Sequence, residues 1–167
     1  MKRVDVFTGL AWLLWGVTAA AEPHQTCSGP QIGTWKLQSV SAEEVETGIR
    51  TQPYGVHPNG YLSYARDCRM YALILKEGRR APASVVATDT ERIELFNGLV
   101  TYAGTYAVEG DKITHSVDAS WNQTWTGSIQ VRHFKIDGNS LHVVSMPLKD
   151  SLDGKVRVYA LVWTKVE

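Results

Sequence analysis

The chain has 167 residues, with 17 basic and 17 acidic side chains that cancel to no formal net charge, and 44% of its residues are hydrophobic. That length suits one domain able to bury a core without metals or many disulfides. The balanced charge, with Arg79-Arg80 the only basic pair after residue 3, excludes a phosphate-tracking surface and hence nucleic acid as a partner.

The N-terminus reads as an export signal. Lys2 and Arg3 precede an apolar run from Val6 to Thr18, and Ala19-Ala20-Ala21 supplies small residues at a cleavage site. The run is shorter than the roughly 20 residues that a membrane span needs, so no stable span is expected once residues 1–21 are removed. Asp5 interrupts the pattern, and a retained anchor is the alternative. Export to a secreted or periplasmic location gives meaning to Cys27 and Cys68, the only two cysteines. In an oxidising compartment such a pair is bridged more often than free, although two separate thiols remain the alternative.

An arm over residues 22–32 carries the turn formers Ser28-Gly29-Pro30, and the globular domain is expected over residues 33–167. A first strand from Thr34 to Ser41 puts Trp35, Leu37 and Ser39 on one face. Glu43 to Pro58 is aperiodic and polar, with Tyr54 and His57 placed to overhang a cavity mouth. Strands at Gly60–Ala65 and Arg69–Leu75 flank a tight turn at Arg66-Asp67-Cys68 and are rich in Tyr, Leu and Ile, which suit a half-buried pleat. Thr88-Asp89-Thr90-Glu91 is a capping box that announces a helix. Ile93, Leu95 and Phe96 give this helix an apolar stripe to pack on a wall or cover an end, and Asn97-Gly98 stops it.

From Leu99 the chain meanders. Strands at Leu99–Val108, Lys112–Ser120, Ser128–Ile136, Leu141–Met146 and Lys155–Val166 alternate with Gly110-Asp111, Asp137-Gly138-Asn139 and Asp153-Gly154. The aromatic connection at residues 121–125 contains Asn122-Gln123-Thr124, which also fits a glycosylation sequon. The reading is all-β: eight antiparallel strands with one short helix in a connection. Closure removes exposed edges, and an eight-stranded barrel is either filled or holds one small ligand.

Several polar residues share faces with apolar ones. His115 alternates with Ile113, Val117 and Ala119, and Arg132 with Gln130, Phe134 and Ile136. A few convergent polar groups in an apolar lining are how small-molecule sites are built. Tyr64, Tyr102, His115, Trp125, Arg132 and Phe134 are therefore the candidate ligand-binding residues, and His115 with Arg132 suits a carboxylate, enolate or phenol. The structural alternatives are that Arg132 pairs with a carboxylate such as Asp118 and that His115 satisfies a backbone carbonyl. No metal site is expected, because His57, His115, His133 and His142 fall on separate elements without ligand spacing. No cofactor motif is present, and no nucleophile elbow is. Any catalysis would be acid–base work by His115 with Tyr102 or Tyr106.

Gly33-Thr34-Trp35-Lys36-Leu37, Pro53-Tyr54-Gly55, Pro58-x-Gly60-Tyr61-Leu62-x-Tyr64, Tyr102-x-Gly104-Thr105-Tyr106, Thr114-His115, Gln130-Val131-Arg132-x-Phe134 and Leu161-Val162-Trp163 follow one another in order. In these the chain resembles the lipocalin-like domain family, small calycin-type β-barrel proteins. The resemblance implies that Gly33 lets the backbone turn into the barrel and that Trp35 plugs its narrow end. Two departures stand out. Cys68 occupies a turn position where the family usually carries Gly, a cost most simply offset by a bond to Cys27. Lys165 replaces a common Arg near the closing strand, where its stem can still lie over Trp35. Family members are described mainly as binders of small hydrophobic molecules, while distant lipocalin-like proteins act as cyclases or isomerases. The expected function is thus an exported binder of an apolar or amphipathic molecule. An isomerase, cyclase or dehydratase is the second reading, and a filled barrel serving as an interaction module the third.

Overall fold

A computed structural model describes residues 26–166; the export signal read over residues 1–21 lies outside the described residues, as do residues 22–25 of the arm. In chain order the elements are β1 (Gly33–Glu44), β2 (Arg50–Thr51), β3 (Asn59–Tyr64), β4 (Arg69–Leu75), α1 (Asp89–Asn97), β5 (Leu99–Glu109), β6 (Lys112–Ser120), β7 (Ile129–Asp137), β8 (Ser140–Ser145), β9 (Leu148–Lys149) and β10 (Val156–Lys165). β2 and β9 are two-residue flaps on β1 and β10. The other eight strands pair antiparallel with their neighbours, and β1 joins β10 from Trp35↔Lys165 to Glu44↔Arg157. That last pairing closes an eight-stranded barrel and leaves none of the eight as an open edge.

Two bulges set which residues face inward. Between Leu37 and Ser39 the β1–β10 register slips, so Val40 and not Ser39 follows Leu37 into the core. The expected alternation through Ser39 fails there because an inserted residue inverts every later assignment. A second slip lies opposite Ala103 and Gly104: Gly104 pairs with Val117, Ala103 with Ala119, and Asp118 bulges between them. Ala119 thereby leaves the face it was expected to share with His115. Asp118 turns to solvent and binds Arg69, which removes the expected Arg132–Asp118 pair. Gly104 is required at this crossing, since a Cβ would lie 2.0 Å from the Ser116 carbonyl oxygen.

One end of the barrel is packed shut. Trp35, Met70, Ile113 and Leu141 have almost no solvent exposure, and the Trp35 indole N–H donates to the Gln31 carbonyl at 2.8 Å. Gly33 enters β1 with φ +130°, a conformation that side chains disfavour. The Lys165 ammonium lies 5.2 Å from the centre of the Trp35 ring, so lysine covers the plug despite lacking a planar guanidinium. The arm is tied down by a Cys27–Cys68 disulfide, with Cα atoms 5.2 Å apart, and by the Cys27 N–H donating to Arg66 O. Cys68 has φ +62° and is the one non-glycine residue with positive φ among the described residues, so the bridge holds a cysteine where the turn favours glycine.

At the other end, loops and α1 surround a mouth. Thr88 caps the helix and Glu91 completes the box by accepting from the Thr88 N–H; Glu91 also accepts from Ala83 N–H at 2.9 Å, which ties the preceding loop to the helix. The helix does not pack its stripe onto the barrel wall. None of its residues is buried, Ile93 is 60% exposed, and Leu95 and Phe96 lie along the mouth, with Phe96 6.5 Å from Trp121. Among the described residues no helix is long and apolar enough to cross a membrane.

Candidate functional site

Between the mouth and the packed end lies a cavity of about 960 Å³. Its walls are the inward residues of the strands, among them Val40, Leu62, Ile74, Val143 and Leu161, with Trp121 and Trp125 toward the mouth. Its floor is polar. His115 is 1% exposed and sits between two phenols: Nε2 is 2.8 Å from the Tyr64 hydroxyl, and Nδ1 is 3.1 Å from the Tyr102 hydroxyl. Neither ring nitrogen is satisfied by a backbone carbonyl, contrary to that expectation.

Burial holds the His115 imidazole well below its usual range, to about 3, and the nearby Arg132 guanidinium pushes the same way. Burial likewise raises the Tyr64 and Tyr102 phenols, an effect that Arg132 partly opposes at both. The trio is therefore neutral around pH 7. A neutral imidazole has one N–H and one bare nitrogen, so it accepts from one tyrosine and donates to the other. The arrangement that leaves no buried proton unspent has the fully buried Tyr64 donating to Nε2 and Nδ1–H donating to Tyr102. Tyr102 then keeps its own O–H for the cavity, which it lines and into which it is only half buried.

Arg132 is the other floor residue. It is 6% exposed, donates to Val131 O at 3.0 Å and Gln130 Oε1 at 3.2 Å, and forms no ion pair among the described residues. Acidic groups do line the mouth, but three have other partners. Glu77 accepts from the Val56 and His57 N–H groups, Glu91 belongs to the helix cap, and Asp150 binds Arg157 and Tyr159. Trp163 adds a third donor: it lines the cavity at 2% exposure, and its indole N–H has no partner among the described residues.

Of the expected ligand-binding residues, Tyr64, Tyr102, His115, Trp125 and Arg132 all line the cavity. Phe134 does not: it follows Arg132 on the same face one step nearer the closed end, where it packs on the core. Tyr106 also misses the cavity. It packs with its ring tilted against Tyr64, centroids 4.8 Å apart, and donates its hydroxyl to Ala65 O at 2.9 Å, so it has no proton to exchange with His115. Tyr54 lines the mouth as expected, whereas His57 stays outside it.

The lipocalin-like domain model matches residues 32–166. The chain belongs to that family. No curated protein matches it. A solved structure of a lipocalin-like protein from Bacteroides uniformis ATCC 8492 is similar at 13% identity over 82% of this chain and 99% of that one, with a TM-score of 0.43.

In this lipocalin-like barrel, reading the sequence missed Asp150 and Tyr159, which join Tyr54 in a polar rim. Tyr159 donates its hydroxyl to Asp150 and its N–H to Ser145 Oγ at 2.9 Å, while burial and the Asp150 charge raise the Tyr54 phenol to about 12. No local motif joins these residues, because three separate loops and strands bring them together. Trp163 was legible in part, since Tyr159, Leu161 and Trp163 alternate along one face. Its unmatched indole N–H was not.

Proposed function

We propose that this protein binds a small amphipathic molecule inside its barrel. The observation that carries the reading is the cavity of about 960 Å³ above a plugged floor. That volume is at the upper end of small-ligand sites, roughly 300–1,000 Å³, and the apolar walls with a few convergent polar groups match their usual make-up. Export supports the same picture. Residues 1–21 act as a removable signal, residues 22–32 as the arm and residues 33–167 as the barrel domain, and the Cys27–Cys68 bridge suits a secreted or periplasmic setting.

The acid–base enzyme has less support. An imidazole held near 3 is a poor base at neutral pH, and two phenols with raised pKa values are poor acids. The trio serves better as a fixed hydrogen-bond relay that aims the Tyr102 O–H.

Native mass spectrometry of the protein purified from its host tests the proposal. A reproducible added mass that disappears on denaturation, on a chain beginning at residue 22, is the expected result. A bare chain that also fails to bind N-phenyl-1-naphthylamine would refute ligand binding.

A further inference from the structure

Taking the cavity as a ligand site, we propose that its ligand carries a negatively charged head group that only accepts hydrogen bonds, a carboxylate or comparable oxyanion, seated on Arg132 and Tyr102 with its apolar body toward the mouth. The floor offers donors without matching acceptors. Arg132 brings several N–H groups, of which two reach Val131 O and Gln130 Oε1. Tyr102 has its O–H to give once it accepts from His115, and Trp163 has an indole N–H without a partner among the described residues. A ligand hydroxyl or amine would bring further protons to a place that already has too many.

Charge separates an anion from a neutral acceptor such as an ester or ketone. A guanidinium removed from water is costly unless a counter-charge meets it. Arg132 is 6% exposed and forms no ion pair among the described residues; of the acidic groups that line the cavity, Glu77, Glu91 and Asp150 are held by other partners, and Glu94 stands exposed on α1 at the mouth. His115, Tyr64 and Tyr102 are neutral, so the floor carries an uncompensated positive charge. An oxyanion supplies the counter-charge and spends the free donors together. The orientation follows from the two ends: Trp35, Ile113 and Leu141 fill the closed end, and Leu161, Val143 and Trp125 line the cavity, so an apolar tail has its room on the side of the mouth.

The test uses the full mature chain, stripped of bound lipid, and three ligands of one chain length: dodecanoate, methyl dodecanoate and dodecylammonium. Affinities come from calorimetry, or from displacement of N-phenyl-1-naphthylamine. Dodecanoate is expected to bind on the order of 10- to 100-fold more tightly than its methyl ester, the range for a hydrogen-bonded charge. Dodecylammonium is expected to bind most weakly. Arg132→Gln should shrink the acid-to-ester preference to about twofold, with most of the loss falling on the acid, and Arg132→Lys should retain part of it. Since Arg132→Gln removes an uncompensated buried charge, the empty variant should melt no lower than the parent. If neither variant folds, the parent alone decides: dodecanoate affinity must fall as its carboxylate is protonated near pH 5 while the ester's stays level. Equal affinity for acid and ester, or a preference for the ammonium, would overturn the anionic head while leaving the binding site in place. Failure of all three ligands and of the reporter would overturn both.

Discussion

Mild acid should loosen this barrel through a single side chain. His115 stays neutral in the folded chain down to about pH 3, because burial and Arg132 oppose its protonation, whereas in the unfolded chain it takes up a proton near its ordinary 6.5. Between those values the unfolded state binds more protons, so stability falls as pH falls. The loss is about 1.4 kcal/mol per pH unit once below the unfolded value, or roughly 2.5–3 kcal/mol between pH 8 and pH 4.5. For a domain of this size that lowers the melting temperature by roughly 6–11 °C. Asp118, held low by hydrogen bonding to Arg69, Asp111 by His133, Asp153 by Arg157 and Glu91 by the Ala83 and Thr88 N–H groups lose their contributions only from the ordinary carboxylate range downward, which leaves the window above about pH 5 to His115. The assay is urea unfolding at half-unit steps from pH 8 to 4.5 on the parent and on His115→Gln, whose amide can bridge both tyrosines without titrating. The variant should be less stable at pH 8 and have a flatter profile below pH 6.5. Parallel profiles, or an imidazole that titrates near 6.5 by NMR, would refute the reasoning.

Three further outcomes are expected. Replacing both Cys27 and Cys68 by Ser should cost about 4 kcal/mol in the chain-entropy model for a separation of 41 residues. The pair Cys27→Ser with Cys68→Gly should recover about 1 kcal/mol of that in urea unfolding, because glycine accepts φ +62° without a Cβ clash. Gly104→Ala should cost about 3 kcal/mol or more by the same measurement, since its Cβ would meet the Ser116 carbonyl oxygen at 2.0 Å; a loss below 1 kcal/mol would mean that β5 and β6 do not cross this closely. Thr88→Ala should remove about 1 kcal/mol of helix capping. Because α1 borders only the mouth, hydrogen exchange should speed up over residues 89–97 and stay unchanged in β4 and β5.

Reading the sequence alone settled most of the architecture. Eight alternating strands, the Thr88–Glu91 capping box and the Gly-containing turns are local signals, and local sterics and hydrogen bonding enforce them wherever the chain goes. Gly33 and Trp35 marked the start of the barrel, and the odd cysteine in the turn at Arg66-Asp67-Cys68 pointed to its partner in the arm.

What each inward face does is a property of closure. Two single-residue bulges moved Ser39 and Ala119 off the faces their spacing predicted, and no pattern in one strand announces a bulge that its neighbour imposes. The level of a residue along the barrel axis was equally hidden. Arg132 and Phe134 alternate on one face of β7, yet one reaches the cavity and the other fills the packed end. His115 met two tyrosines from β3 and β5 because strand tilt brings distant registers side by side. The absence of an acidic partner for Arg132 among the described residues could be seen only once Asp118 and Asp150 were found bound to Arg69 and Arg157. Burial and pairing are set by the whole barrel at once, and they convert a legible set of polar residues into a charged floor.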